Sequence, residues 1–255
     1  MTETSNRSGP HILSATVVAR TTDVVWVETA DGNIVALHGE GIERFPFSLV
    51  IANSLPAAGL GQHLTLDDNE MVPVTALDSR DHHDYGIPPV TSTTPQQLVD
   101  IVGPCRHALS AMLSDRLSRS LSDTRYPSVE VVRYLIGRGG GLTPVGDDIL
   151  VGAMAAEAAF SRAWGMGCPV RHSLARVDLT GLTTRPSIAL LKSASAGRYP
   201  PVLCHLFLAL NRRQKIAASV SDVRRIGHSS GPAILAGISS WARYALASRQ
   251  PTETD

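Results

Sequence analysis

Val24-Val25-Trp26-Val27-Glu28-Thr29-Ala30-Asp31-Gly32-Asn33-Ile34-Val35-Ala36-Leu37 reads as two apolar, β-branched runs separated by Asp31-Gly32. Asp-Gly tolerates the positive φ that a tight turn joining twisted antiparallel strands requires, so the stretch predicts a β-hairpin. On either side lie runs of the same kind: Ala15-Thr16-Val17-Val18, Leu49-Val50-Ile51 and Val72-Pro73-Val74. Breaks at Gly39, Gly41, Pro46, Gly59 and Gly61 divide this half into five or six short strands, the pattern of a small β-barrel or sandwich. We therefore expect a β-rich domain over residues 12–88, preceded by a disordered tail at 1–11.

Moving toward the C-terminus, the period changes. Residues 78–94 are polar, contain Pro88-Pro89 and show no apolar periodicity, which places the domain linker there. Thr94-Pro95 then predicts a helix start, with an interruption at Pro104 and an end near residue 121. A short helix follows Ser128, with Val129, Val132 and Ile136 on one face and Gly137 at its end. Further helices are expected over 148–164, 187–196, 202–211, 214–226 and 232–247, so the fold class is α+β, with an all-helical domain over 89–250.

With 255 residues and 43% hydrophobic content, the chain is long enough to bury a core. Twenty-three basic residues balance 23 acidic ones, so no net field favours nucleic acid or an anionic membrane, and neither is expected as a partner. No apolar run approaches a membrane span, and the first residues lack the basic-then-apolar pattern of a signal peptide, which predicts a cytoplasmic protein. Cys105, Cys168 and Cys204 stand singly and read as reduced thiols.

The densest chemical signal is Gly137-Arg138-Gly139-Gly140-Gly141-Leu142-Thr143-Pro144-Val145-Gly146-Asp147-Asp148. Its glycines admit a ligand close to the backbone, and the start of the following helix is expected to offer free N–H groups to an anion. Gly141 to Gly146 has the spacing of a phosphate loop, but Asp147-Asp148 follows where Lys and Ser or Thr are required, which excludes a nucleoside triphosphatase. One Asp is expected to cap the helix while the other grips ligand N–H groups; the alternatives are a divalent cation bridging carboxylate and ligand, and a cap plus a solvated charge. The frame G-x-x-I-L-x-G at Gly146 to Gly152 recurs at Gly231 to Gly237, marking places where another backbone comes close or two small-residue helices pack.

Gly227-His228-Ser229-Ser230-Gly231 matches the pattern of a hydrolase elbow, but it follows a helix and has no downstream histidine, so no serine triad is read. What remains is a turn carrying His228 and two hydroxyls at a helix start, or a structural turn. Thr183-Thr184-Arg185-Pro186-Ser187 offers hydroxyls and a guanidinium, or an ordinary cap near Ser187. Asp81-His82-His83-Asp84 has metal-ligand residue types without a second cluster, so neither a metal nor a cofactor is expected.

Together the stretches from Gly139 to Gly152 and from Ile226 to Gly231 resemble the two hallmarks of the oxamate carbamoyltransferase subunit AllH family, approximately G-L-T-P-S-G-D-D-F-L-x-G and G-x-S-S-G. The likeness extends to Thr184 through Gly197, while Val145 stands where the family usually has Ser. The resemblance implies phosphorolysis of oxalurate to oxamate and carbamoyl phosphate in allantoin or purine degradation, by an assembly with other carbamoyltransferase subunits. On that reading the small-molecule substrate is a carbamoyl or carboxylate compound together with phosphate. His228 and Asp148 are the expected catalytic residues. Arg138, Gly140, Gly141, Thr143, Gly146, Asp147, Thr184, Arg185, Ser187, Ser229 and Ser230 are expected to bind substrate. Thr183-Thr184-Arg185 is at most a fragment of the Ser-Thr-Arg-Thr-Arg motif of ordinary carbamoyltransferases, so a partner is expected to supply charge. Two other classes stay open: a regulatory subunit that holds an anionic metabolite without turnover, and a structural scaffold.

Overall fold

The computed structural model describes residues 13–39, 45, 47–51, 54–67, 86–110 and 127–248. The expected tail at 1–11, the strand at 72–74, the Asp81-His82-His83-Asp84 cluster and the end of the first helix near 121 lie outside the described residues. The chain divides into two compact units, Met1–His83 and Asp84–Asp255.

In the first unit, β1 (Leu13–Arg20), β2 (Val24–Thr29), β3 (Ile34–His38), β4 (Ser48–Val50) and β5 (His63–Leu66) form one sheet in the order β4-β3-β2-β1-β5. The predicted hairpin is β2 against β3, antiparallel with Val25 opposite Leu37, and Gly32 takes φ 79° in its turn. Strand β4 lies parallel to β3, and β5 lies antiparallel to β1. Because β4 and β5 are opposite edges, the sheet is open, and neither a closed barrel nor a second packed sheet appears among the described residues. Strand β5 was not anticipated: its four residues, His-Leu-Thr-Leu, carry one short alternation and no β-branched run. Ala15, Val17, Val25, Val27, Leu37 and Leu66 supply a buried core on this sheet.

The second unit contains α1 (Pro95–Ser110), α2 (Val129–Leu135), α3 (Val145–Trp164), α4 (Pro169–Leu174), α5 (Arg185–Ser195), α6 (Pro201–Arg212), α7 (Ile216–Arg224) and α8 (Ser230–Ala247). A reciprocal capping box opens α1: Gln97 N–H donates to the Thr94 hydroxyl, and Thr94 N–H to the Gln97 side chain. The expected interruption at Pro104 is absent, since α1 runs through it with the loss of one donor. Ser128 caps α2 as predicted, and Val132 and Ile136 are buried as expected; Val131 and Leu135 join them, while Val129 is only half-buried. The six-residue α4 was not anticipated, and an isolated bridge between Gly86 and Arg198 interrupts the all-helical pattern.

Helices α3 and α8 are the centre of this unit. Every residue of α3 from Val145 to Glu157 is buried, which explains why the span is apolar all round except for Asp147, Asp148 and Glu157. The repeated frame is a packing device with reciprocal contacts. A Cβ on Gly152 would stand 1.9 Å from the Ile234 carbonyl oxygen, and one on Gly237 would stand 2.0 Å from that of Ile149. Each frame's last glycine thus receives the other frame's isoleucine backbone. Phe160, Trp164 and Trp241 stack beyond this crossing, with ring centroids 4.4 Å apart for Phe160–Trp164 and 5.2 Å for Trp164–Trp241.

Candidate functional site

Helix α3 begins at Val145, three residues earlier than expected, behind a Pro144 cap without a side-chain bond. Asp147 and Asp148 therefore sit inside the first turn and neither caps the helix, which corrects the expected division of labour. They point about 100° apart and enter different networks.

Asp147 is a latch. One carboxylate oxygen accepts from Gly137 N–H at 2.9 Å; the other accepts from the Ser187 hydroxyl at 2.6 Å and from the Thr183 hydroxyl. Burial raises its pKa, and these three donors oppose the rise. The loop after α2 and the start of α5 are thus tied to α3 at one side chain. Gly137 takes φ 70°, and a Cβ there would stand 1.9 Å from the Leu182 carbonyl oxygen, so no other residue fits the position. A second tie joins the same segments, because the Thr184 hydroxyl donates to the Leu142 carbonyl. Thr184, not Ser187, caps α5, accepting from Ser187 N–H at 3.2 Å.

Asp148 is 1% exposed, and one of its oxygens has no hydrogen-bond partner. Burial pushes its pKa up to about 8, helped by the charge of Asp147 and opposed by the hydroxyls of Ser230 and Thr143. Those hydroxyls are 3.1 Å from each other, so the glycine-loop segment and the turn before α8 do meet, at Thr143 and Ser230. A carboxyl held largely neutral at pH 7 between two hydroxyls can donate as well as accept a proton.

The expected supply of free N–H groups at the helix starts is corrected by the geometry. Gly146 N–H donates to the Arg138 carbonyl at 2.8 Å, and those of Asp147 and Asp148 to Pro144. At α8, Gly231 N–H donates to Ile226 at 2.9 Å, Pro232 has none, and Ala233 donates to Ser229. Both first turns are mostly satisfied internally. The glycine loop itself is different: the N–H groups of residues 139–143 have no protein acceptor among the described residues, and Gly139, Gly140 and Gly141 are exposed. If an anion is cradled, the loop provides the donors.

Gly146 serves packing, since a Cβ there would stand 1.9 Å from the Leu135 carbonyl oxygen, whereas Gly140 has open space around its Cβ position. Ser229 is half-buried, while His228 and Arg185 are exposed. No hydrogen bond or ion pair among the described residues joins His228 to Asp148. Arg138 is also exposed and lines a cleft of about 530 Å³ with Glu130, Arg133, Tyr134, Gly137, Gly181 and Leu182. That cleft does not include His228 or Ser230.

Glu157 was missed as a site candidate, and Thr183 was read only as part of the Thr183 to Ser187 segment, not among the binding residues. Thr183 was legible only as half of a Thr-Thr pair. Glu157 stood out as the one acid between Met154 and Phe160, and it is fully buried, accepting from Val170 and Arg171 N–H at 2.8 and 3.2 Å. It replaces the side-chain cap that α4 lacks, and burial pushes its pKa up to about 7. Among the described residues no three His, Cys, Asp or Glu side chains gather as a metal site, and no helix is long and apolar enough to cross a membrane.

Fold and site together define an α+β protein whose helical unit presents a glycine loop beside a buried acid and two hydroxyls. Residues 135–241 match the family model of oxamate carbamoyltransferase subunit AllH, the family that the sequence resembled. The matched region runs from the end of α2 into α8 and contains every predicted site residue, while the sheet unit lies outside it. No solved structure matches the chain.

Proposed function

We propose that the chain is a subunit of an oxamate carbamoyltransferase and contributes to carbamoyl transfer between oxalurate and phosphate. The observation that carries this reading is the meeting of the family's two hallmark segments at Thr143, Ser230 and Asp148 within the matched region. Phosphate attacks the carbamoyl carbon of oxalurate, the bond to the oxamate nitrogen breaks, and the proton carried by hydrogen phosphate ends on that nitrogen. Asp148 is suited to relay it, giving its proton to the leaving nitrogen and regaining one from phosphate. His228 stands exposed at the same turn, two residues before Ser230. The unengaged N–H groups of residues 139–143 supply donors to the oxyanion that forms at the carbamoyl oxygen.

Partner subunits are expected to supply further positive charge, because Asp148, Thr143 and Ser230 carry none and the cleft lined by Arg133 and Arg138 does not include them. The test is phosphorolysis of oxalurate by the co-purified assembly, with release of carbamoyl phosphate measured. Asp148→Asn should lower kcat by about 100-fold, the usual scale of a lost general acid. Unchanged turnover in that variant would remove Asp148 from the chemistry. A second reading is a regulatory subunit that binds an anionic metabolite without turnover; the unengaged N–H groups of residues 139–143 serve it equally, and no hydrogen bond among the described residues joins His228 to Asp148. Full turnover by the partners in the absence of this chain would select it.

A further inference from the structure

We propose that the cleft beside the glycine loop is a binding site for a small oxyanion, a carboxylate or a phosphate, gripped by Arg133 and Arg138. The strongest support is the preorganisation of Arg138. Its Nε donates to the Tyr134 carbonyl at 3.1 Å, and its guanidinium lies 4.9 Å from the centroid of the Tyr134 ring. One donor and one face are thereby fixed, while the two terminal nitrogens have no protein acceptor among the described residues. That fork is the geometry that binds a carboxylate or phosphate through two parallel hydrogen bonds, with little side-chain entropy left to lose. Arg133 is exposed on the same cleft, so its lining holds two guanidinium groups and one carboxylate, that of Glu130. The local excess is positive in a chain whose net charge is zero.

The walls of the cleft are not free to move independently of the glycine loop. Gly137 packs against the Leu182 carbonyl, Asp147 ties Gly137 to Thr183, and Thr184 ties the same turn to Leu142. An anion seated on the two arginines is therefore coupled, through short rigid contacts, to the loop whose N–H groups stand unengaged. The site itself rests on the cleft; its role as the subsite of phosphate or of a substrate carboxylate rests on the carbamoyl-transfer reading.

The test is calorimetric titration of the full chain with inorganic phosphate and, separately, with oxamate, at constant ionic strength. Arg133→Gln and Arg138→Gln should each weaken binding at least about tenfold, the scale of one charge-assisted hydrogen bond. Arg138→Lys, which keeps the charge and loses the fork, should also weaken it. Hydrogen exchange of the amides of residues 139–143 should slow when the anion is bound. Saturable binding of phosphate alone assigns the cleft to phosphate, and binding of oxamate alone assigns it to a carboxylate. Binding of neither, or equal affinity in the Arg133→Gln/Arg138→Gln double variant with its helical circular dichroism intact, would overturn the proposal. Anion binding that persists while the assembly shows no phosphorolysis counts against the carbamoyl reading alone; phosphorolysis with no binding at the cleft counts against this site alone.

Discussion

Asp147 and Asp148 are adjacent, equally buried and chemically opposite. Asp147 answers three donors, so Asp147→Ala should strand a Gly137 N–H and two hydroxyls and cost about 3 kcal/mol of stability, measured by urea denaturation. Asp148 keeps its proton in the folded protein up to about pH 8, whereas the unfolded chain releases it near pH 3.8. Its contribution to stability is therefore complete below pH 3.8 and falls as pH rises toward about 8. Asp148→Asn should match the parent near pH 4 and be more stable at pH 8 by a few kcal/mol, on the order set by the free energy of each pKa unit. A slope between pH 4.5 and about 7 should remain in that variant, because Glu157 titrates there for the same reason. Equal denaturation midpoints of variant and parent at pH 8 would refute the raised pKa. The same substitution is expected to reduce turnover, so stability and activity move in opposite directions at this residue.

Among the elements, the α3–α8 pair shows how two glycines set a helix spacing. Gly152→Ala places a methyl where the Ile234 carbonyl stands, and the helices have to separate at the crossing. We expect a loss of about 3 kcal/mol, measured by thermal or urea denaturation. Gly140→Ala, with open space at its Cβ position, is the control and should change stability by less than about 1 kcal/mol. If both cost the same, the close approach is not what fixes those helices. Thr184→Ala should cost about 1 kcal/mol through the lost α5 cap. It also releases Leu142, so the amides of the glycine loop should exchange faster in that variant than in one losing a cap elsewhere, such as Ser128→Ala.

At the scale of the whole molecule, each unit carries its own core, and the family match lies within the helical one. Leu37, fully buried in the sheet, is the place to test their independence. Leu37→Ala should destabilise the sheet unit by about 3 kcal/mol. It should leave the amide resonances of residues 139–143 unmoved; shifts there would show that the two cores are coupled. The division of folding class was readable because the hydrophobic period changes from two to about 3.6 between Leu66 and Thr94, and period is a local property of the chain. Whether the strands closed on themselves was not, since the pairing of sheet edges depends on residues far apart in sequence.

The sequence by itself determined most of the helices, the hairpin turn and the likeness of the helical unit to the family model it matches. It marked Gly152 and Gly237 as points of close approach, because glycine in a helix costs stability unless space demands it. Only the tertiary structure decided which partners each candidate residue meets. Asp147 became a latch because Thr183 and Ser187 fold back onto it, and Asp148 became a buried acid because Ser230 arrives from a distant helix. The helix starts looked rich in donors along the chain and proved largely satisfied once Arg138 and Ile226 turned their carbonyls toward them. A side chain's identity is set by the gene, whereas its partners, its solvation and hence its protonation are set by what the fold brings beside it.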